Sequence, residues 1–179
     1  MKYSQYVLLM FILVFGACAP KSQNVTMTDE QVSIALPETV ETIQKSETQW
    51  KSELNEMEYY VIRDKGTERA FTGDLWDNKT EGIYTCRACQ LPLFTSNTNY
   101  KSGTGWPSYY QPIRREYIKE DTDYHLGYPR TEVMCARCEG HLGHVFSDGP
   151  EPTGLRYCIN SVSLDFVETE ESDQVNSNN

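Results

Sequence analysis

The sequence predicts a mainly β domain with a short helical preface, and three observations carry that prediction. From Gly66 onward, apolar residues fall in short β-branched and aromatic runs, cut by Gly, Pro, Asn and Asp every several residues. No sustained helical period occurs in that region. Two Cys-x-x-Cys pairs, Cys86/Cys89 and Cys135/Cys138, each close one of those runs. Strands that follow one another without intervening helices pair antiparallel.

Met1 to Ala17 precedes the fold. One Lys is followed by the apolar run Val7 to Phe15, which as a helix would be roughly 15 Å long, half of the ~30 Å hydrocarbon core of a membrane. Residues 1–17 are therefore expected to be a secretory signal rather than a permanent anchor. Phe15-Gly16-Ala17-Cys18 resembles a bacterial lipoprotein processing site, with Phe15 where an aliphatic residue is usual. That resemblance implies cleavage before Cys18 and lipid on its thiol. The expected location is then outside the cytoplasm, membrane-anchored by lipid alone and facing the periplasm or exterior. Ala19 is no obvious retention signal, so the outer membrane is preferred. Ordinary cleavage after Ala19 is the alternative. Residues 18–45 are rich in Thr, Gln, Ser and Glu, and are expected to be a flexible tether.

The domain is expected over residues 46–168. Ser46-Glu47-Thr48-Gln49 is a capping-box pattern, with Trp50 and Leu54 on one face of a short helix. Asn55 caps a second helix with an apolar stripe of Met57, Tyr60 and Val61, stopped near Gly66. Trp50 and the Tyr59-Tyr60 pair are expected to pack in the core. Strands are expected at Gly82–Thr85, Glu116–Ile118, Thr131–Met134, His144–Phe146, Arg156–Ile159 and Val162–Phe166. Residues 169–179 are acidic, then polar, and are expected to fray.

Charge narrows the functions. The formal net charge is −10, so there is no basic surplus to neutralise the phosphates of a nucleic acid or the headgroups of an anionic membrane.

Six cysteines need an explanation. Cys86, Cys89, Cys135 and Cys138 form two knuckles whose two-residue gaps let both sulfurs of a pair face one tetrahedral zinc. Disulfides or iron in the same set are the alternatives. With Cys18 assigned to lipid, Cys158 is left with no structural task. A lone cysteine is often a small buried hydrophobe, but on a strand Arg156 and Asn160 share its face. A cation and an amide donor there favour a thiolate. His141 and His144 lie close by, among Gly140, Gly143 and Gly149, which suggests a loop. A histidine near a thiolate can deliver a proton. In Lys101-Ser-Gly-Thr-Gly-Trp-Pro-Ser108, two glycines allow a sharp turn that presents Trp106 to a pocket, against the plainer reading of a core Trp.

Gly82-Ile-Tyr-Thr-Cys-Arg-Ala-Cys89 with Pro92-Leu-Phe94, Ser102-Gly-Thr-Gly-Trp-Pro-Ser108, Gly140-His-Leu-Gly-His-Val-Phe146 and Gly154-Leu-Arg-Tyr-Cys-Ile-Asn160 closely resemble the methionine sulfoxide reductase B family, in order, from about Ser46 to Phe166. The resemblance implies a β-tent-like fold of two antiparallel sheets, one structural Zn2+ on the four knuckle cysteines, and reduction of methionine-R-sulfoxide, free or in oxidised proteins. It implies Cys158 as nucleophile, and His141 and His144 as the pair that binds and protonates the sulfoxide oxygen. Trp106 is implied as the wall for the S-methyl group, with Arg156 and Asn160 as positioning and thiolate-stabilising groups. Many members carry a resolving cysteine where this chain has Thr104. The oxidised Cys158 is therefore expected to be reduced by an external thiol, thioredoxin-like or a small dithiol, acting on a monomer. Two competing readings remain: a non-catalytic zinc-bearing β module, and a zinc hydrolase with His141 and His144 as ligands.

Overall fold

The computed structural model describes residues 36–169. The expected signal segment, Cys18, the first part of the tether and the end of the polar tail lie outside the described residues.

Two short helices come first, α1 (Glu47–Glu53) and α2 (Glu56–Ile62). Each opens with a full capping box, Ser46 with Gln49 and Asn55 with Glu58. Such caps matter because a seven-residue helix leaves most of its backbone groups without intrahelical partners. Trp50 and Leu54 are buried, as expected. Of the stripe expected on α2, only Val61 is buried. Met57 and Tyr60 are about half exposed, and Val61 and Ile62 go inside. Two turns of helix set too short a period to fix its face from sequence. Nor does Gly66 take the left-handed turn: Lys65 does, at φ 58°.

The tether's last residues lie against the domain. Val40 and Ile43 pack on the core. The Ile43 N–H donates to the Arg137 carbonyl at 2.7 Å, and the Tyr117 hydroxyl donates to the Pro37 carbonyl.

Eight strands follow: β1 (Gly82–Cys86), β2 (Pro92–Thr95), β3 (Ser108–Tyr109), β4 (Ile118–Asp123), β5 (Arg130–Cys135), β6 (His141–Phe146), β7 (Arg156–Ile159) and β8 (Leu164–Glu168). They form two antiparallel sheets, ordered β2-β1-β8 and β3-β7-β6-β5-β4. The mainly β, two-sheet architecture matches the expectation. Several boundaries do not. Glu116 and Tyr117 sit in a 3-10 turn, and the strand begins at Ile118. Val162 and Ser163 lie in a second 3-10 turn before β8. β2 and β3 were not expected; one is an edge strand opened by a proline, where no ladder donor is needed, and the other is two residues long.

The sheets meet through aromatic side chains. Phe94 on β2 stacks on Tyr109 of β3 with ring centroids 4.3 Å apart. Tyr84 on β1 meets Tyr109 edge-on at 5.1 Å. Tyr157, Leu142 and Ile159 close this layer from the larger sheet. Each large apolar side chain so buried stabilises by about 1.5–3 kcal/mol. The opposite face of the larger sheet is left to carry a site.

Candidate active site and metal centre

One ladder row organises the site. Ser108 opposes Cys158, Cys158 opposes His144, and His144 opposes Glu132. Residues directly opposed on an antiparallel ladder share a face, so β3, β7, β6 and β5 each send one of these side chains to the same side.

His141 joins them through a bulge. Positions three apart on a regular strand point to opposite faces. Here Val133 pairs with Gly143 and Met134 with His141, so Leu142 is one residue too many. The bulge shortens the spacing to two ladder steps and returns His141 to the face of His144. Their rings lie 5.4 Å apart, edge to face. The histidines therefore sit on a strand, not on the loop that the flanking glycines suggested. Gly143 serves close approach instead: a Cβ there would come within 2.0 Å of the Cys158 carbonyl oxygen.

A carboxylate orients each imidazole. Nδ1 of His141 bonds Oε1 of Glu132 at 2.8 Å, and Nε2 of His144 bonds Oδ2 of Asp123 at 2.7 Å. Each carboxylate also holds a cation, Lys65 on Glu132 at 2.7 Å and Arg130 on Asp123. Burial pushes Glu132 up, but the bonds from His141 and Lys65 outweigh it and leave the carboxyl below its usual range. Asp123 is held far below the usual carboxylate range by the His125 backbone N–H, then by His144 and Arg130. His144 is lowered, chiefly by burial, with Asp123 opposing. Nε2 of His141 is buried with no hydrogen-bond partner among the described residues.

A cavity of about 120 Å3 lies over the row, lined by Trp106, His144, Cys158, Phe146, Arg130 and Asn160, among others. His141 does not reach its wall and lies behind His144. Trp106 is half-buried rather than a core residue. Its indole Nε1 donates to the Glu68 carbonyl at 3.2 Å. Gly103 and Gly105, both at positive φ, make the turn that presents it.

Burial pushes the Cys158 thiol up, with Thr104 and Arg156 pulling the other way. Arg156 favours the thiolate, as expected, but burial outweighs it. Arg156 spends much of its charge on Asp148, a two-pronged pair at 2.9 Å for both bonds, and lies over the Phe146 ring at 4.4 Å. Asn160 lies just beyond β7 and works as a brace. Its Nδ2 donates to the Leu142 carbonyl at 3.0 Å, and its Oδ1 accepts from the Glu68 N–H at 3.1 Å. Thr104 Oγ1 is 3.8 Å from Cys158 Sγ and 2.9 Å from Ser102 Oγ.

The four knuckle cysteines converge at one end of both sheets. Cys86 ends β1 and Cys135 ends β5, so the cluster ties the smaller sheet to the larger. The two knuckles are built alike. Cys86 N–H donates to Leu91 O and Cys135 N–H to Gly140 O, while Gln90 and Glu139 take matching left-handed conformations. All four sulfurs lie within 4.8 Å of one another, and the Cys86–Cys138 and Cys89–Cys135 separations are 3.6 and 3.5 Å. A disulfide needs about 2.05 Å, whereas the edge of a tetrahedron of sulfurs around zinc is about 3.8 Å. The cluster fits a tetrahedral metal ion and not paired disulfides. Among the described residues it is the sole grouping of three or more metal-ligand side chains, so the histidine pair has no third ligand and the hydrolase reading falls.

Five residues of the site were not anticipated: Thr67 and Arg130 on the pocket wall, and Asp123, Glu132 and Glu68, which bond the residues around it. A charged residue on a strand normally reads as solvent-facing, and nothing local marks Glu132 as the buried partner of His141. The usable signal was indirect: two histidines destined for proton transfer each need an orienting acceptor.

Fold and site together define a class, a two-sheet β domain stapled by a four-cysteine metal centre and carrying a lone cysteine opposite a histidine pair. The chain belongs to the SelR domain family, whose model matches residues 54–168. It is 54% identical to the peptide methionine sulfoxide reductase MsrB of Thiobacillus denitrificans over 122 residues, 68% of this chain and 92% of that one. It is 56% identical to the MsrB of Methanosarcina barkeri over 134 residues, 74% of this chain and 93% of the other. The MsrB of Leptospira interrogans is 54% identical over 124 residues, 69% of this chain and 95% of the other.

Proposed function

We propose that this chain reduces methionine-R-sulfoxide, free or in oxidised proteins, with Cys158 as nucleophile and His144 as proton donor. Membership of a family of peptide methionine sulfoxide reductases supports the reaction. The observation that carries the assignment of residues is the direct opposition of Cys158 and His144 across β7 and β6, under a cavity walled by Trp106.

The Cys158 thiolate attacks the sulfoxide sulfur, whose methyl group rests on the Trp106 face. A proton from His144 reaches the oxygen as the methionine S–O bond breaks. The oxygen passes to Cys158 Sγ as the bond between the two sulfurs breaks, leaving methionine and a sulfenic acid on Cys158. The sulfoxide gains two electrons and the cysteine loses two. His141, bound through Nδ1 to Glu132, presents Nε2 behind His144 and replenishes its proton. One external thiol then displaces water from the sulfenic acid to form a mixed disulfide, and a second attacks that disulfide and frees Cys158. Thr104 supports an external donor of the thioredoxin or small-dithiol class, because it places a hydroxyl where a resolving thiol would stand. The remaining described cysteines are all in the metal cluster.

Zinc is the proposed metal, held by Cys86, Cys89, Cys135 and Cys138. It would supply cross-linking of the sheets and no reaction step. Cys135 lies three residues along and two strands across from Cys158, roughly 14 Å by sheet geometry. The proposal includes a monomer exported and anchored through lipid on Cys18, as the amino-terminal pattern suggests.

Purified protein given each sulfoxide epimer and a dithiol is expected to consume the R epimer alone. Failure to reduce it would leave a metal-bearing binding module. Alkylation after one turnover without reductant is expected to find no intramolecular disulfide to Cys158, and finding one would refute the external-donor step.

A further inference from the structure

The cavity over Cys158 is small, about 120 Å3. It takes the end of one side chain and no backbone. A sulfoxide inside a protein therefore needs somewhere else for the chain that carries it.

Such a surface adjoins the site. Trp106 and the glycine turn before it also line a groove of about 340 Å3, whose outer wall is Phe71 and Trp76. Both aromatics are exposed, by 54% and 37%, yet neither is loose. Phe71 takes a left-handed φ of 64°, rare for a bulky residue. Its N–H is tied to the Gly105 carbonyl at 2.8 Å, and its ring fills the space a Gly105 side chain would need. Trp76 meets it edge-on at 5.3 Å. An exposed aromatic pair with one member in a strained conformation, beside the tryptophan that walls the reaction pocket, costs stability without covering the core. The groove also carries Lys101 on a chain of net charge −10, beside Lys79, which pairs with Asp77 at 3.4 Å.

We propose that this groove receives the polypeptide flanking the oxidised methionine, with an apolar residue against Phe71 and Trp76 and a preference for an acidic residue near Lys101. The proposal rests on the reductase reading above. Three observations carry it: Trp106 lines both the groove and the reaction pocket, the groove's aromatic wall suits an apolar side chain, and Lys101 complements an acidic one.

The test compares free methionine-R-sulfoxide with short peptides holding one methionine-R-sulfoxide beside a Leu and either a Glu or a Lys. Trp76→Ala is expected to lower kcat/KM on the Glu peptide about tenfold, the loss typical of a truncated aromatic anchor, with the free amino acid changed less than about twofold. Lys101→Glu is expected to reverse the order of the Glu and Lys peptides and leave the free substrate alone. Equal losses on free and peptide substrates, or no loss on either peptide, would overturn the groove assignment. A wild-type protein inert on every substrate would instead overturn the reductase reading on which it rests.

Discussion

The cysteines of the metal cluster, which bridge the two sheets, and Cys158, on the larger sheet, stand under opposite constraints. Each knuckle is local: two sulfurs separated by two residues, with the same hydrogen bond and the same left-handed residue closing both turns. The reaction pocket is assembled across strands, from a row that takes Ser108, Cys158, His144 and Glu132 from four separate stretches of chain. In the cluster, sulfur is held in a closed cage of its own kind. In the pocket it stands alone, half-buried, beside a hydroxyl and an arginine already engaged by Asp148. The contrast teaches that one group stabilises by mutual proximity and the other is useful because nothing satisfies it.

Exchanging sulfur for oxygen at each end would break that comparison most sharply. Cys158→Ser is expected to lower turnover by about 10³-fold or more while leaving metal content and melting temperature near wild type. Cys135→Ser is expected to do the reverse first: metal is lost and the melting transition falls or vanishes, because structural metal binding is itself folding free energy. Metal analysis with thermal melts and sulfoxide turnover separates the two. A Cys158→Ser protein that unfolds would erase the distinction.

The next effect lies in the imidazoles. His141→Asn is expected to cost about 10²-fold in kcat/KM with little change in KM, since the ring lies behind the pocket wall.

Titration sharpens the comparison further. Cys158 is raised and His144 lowered, so the active form, thiolate with imidazolium, is a minor one. Between the two pKa values, the thiolate fraction rises with pH as fast as the imidazolium fraction falls. Their product is flat. The kcat/KM profile is then expected to be a plateau, falling on the acid side below the His144 pKa and on the basic side above that of Cys158. Asp123→Asn removes the bond that holds His144 up. The acid limb should move to lower pH, and the plateau should drop about tenfold for each unit by which the His144 pKa falls. An acid limb that stays in place would detach Asp123 from the histidine.

The smallest effect belongs to the preface. Ser46→Ala is expected to cost about 1 kcal/mol of stability, read by denaturant unfolding, with turnover unchanged.

What could be read from sequence follows the same division. The two knuckles, both helix caps and the strands Gly82–Cys86 and Arg156–Ile159 were legible because each is written within a few consecutive residues. Cys158, His141, His144 and Trp106, proposed above for the reaction, were named through resemblance, and the structure gathers them on one side of the larger sheet. The supports were not. Asp123 closes an edge strand of otherwise charged and polar residues, Lys119 to Thr122, the usual dress of a sheet edge in water. Its bond to His144 exists only once β4, β5 and β6 lie side by side. Asn160 looked like a third residue in alternation with Arg156 and Cys158, but the strand ends at Ile159 and its amide turns to the backbone of β6. The tether reading of residues 37–45 missed their packing because Val40 and Ile43 are isolated apolar residues, without a period to announce a partner.

The extra residue at Leu142 has a consequence for anyone who would borrow this site. Gly140-His-Leu-Gly-His144 looks portable, a five-letter word that could be spliced into any hairpin. In a flat host it would misspell itself: one ring would project above the new sheet, the other below, and the words on the page would be unchanged. What has to be transplanted is the irregular pairing with Val133 and Met134 on the neighbouring strand, so the smallest movable unit is two strands and their misalignment, not a motif.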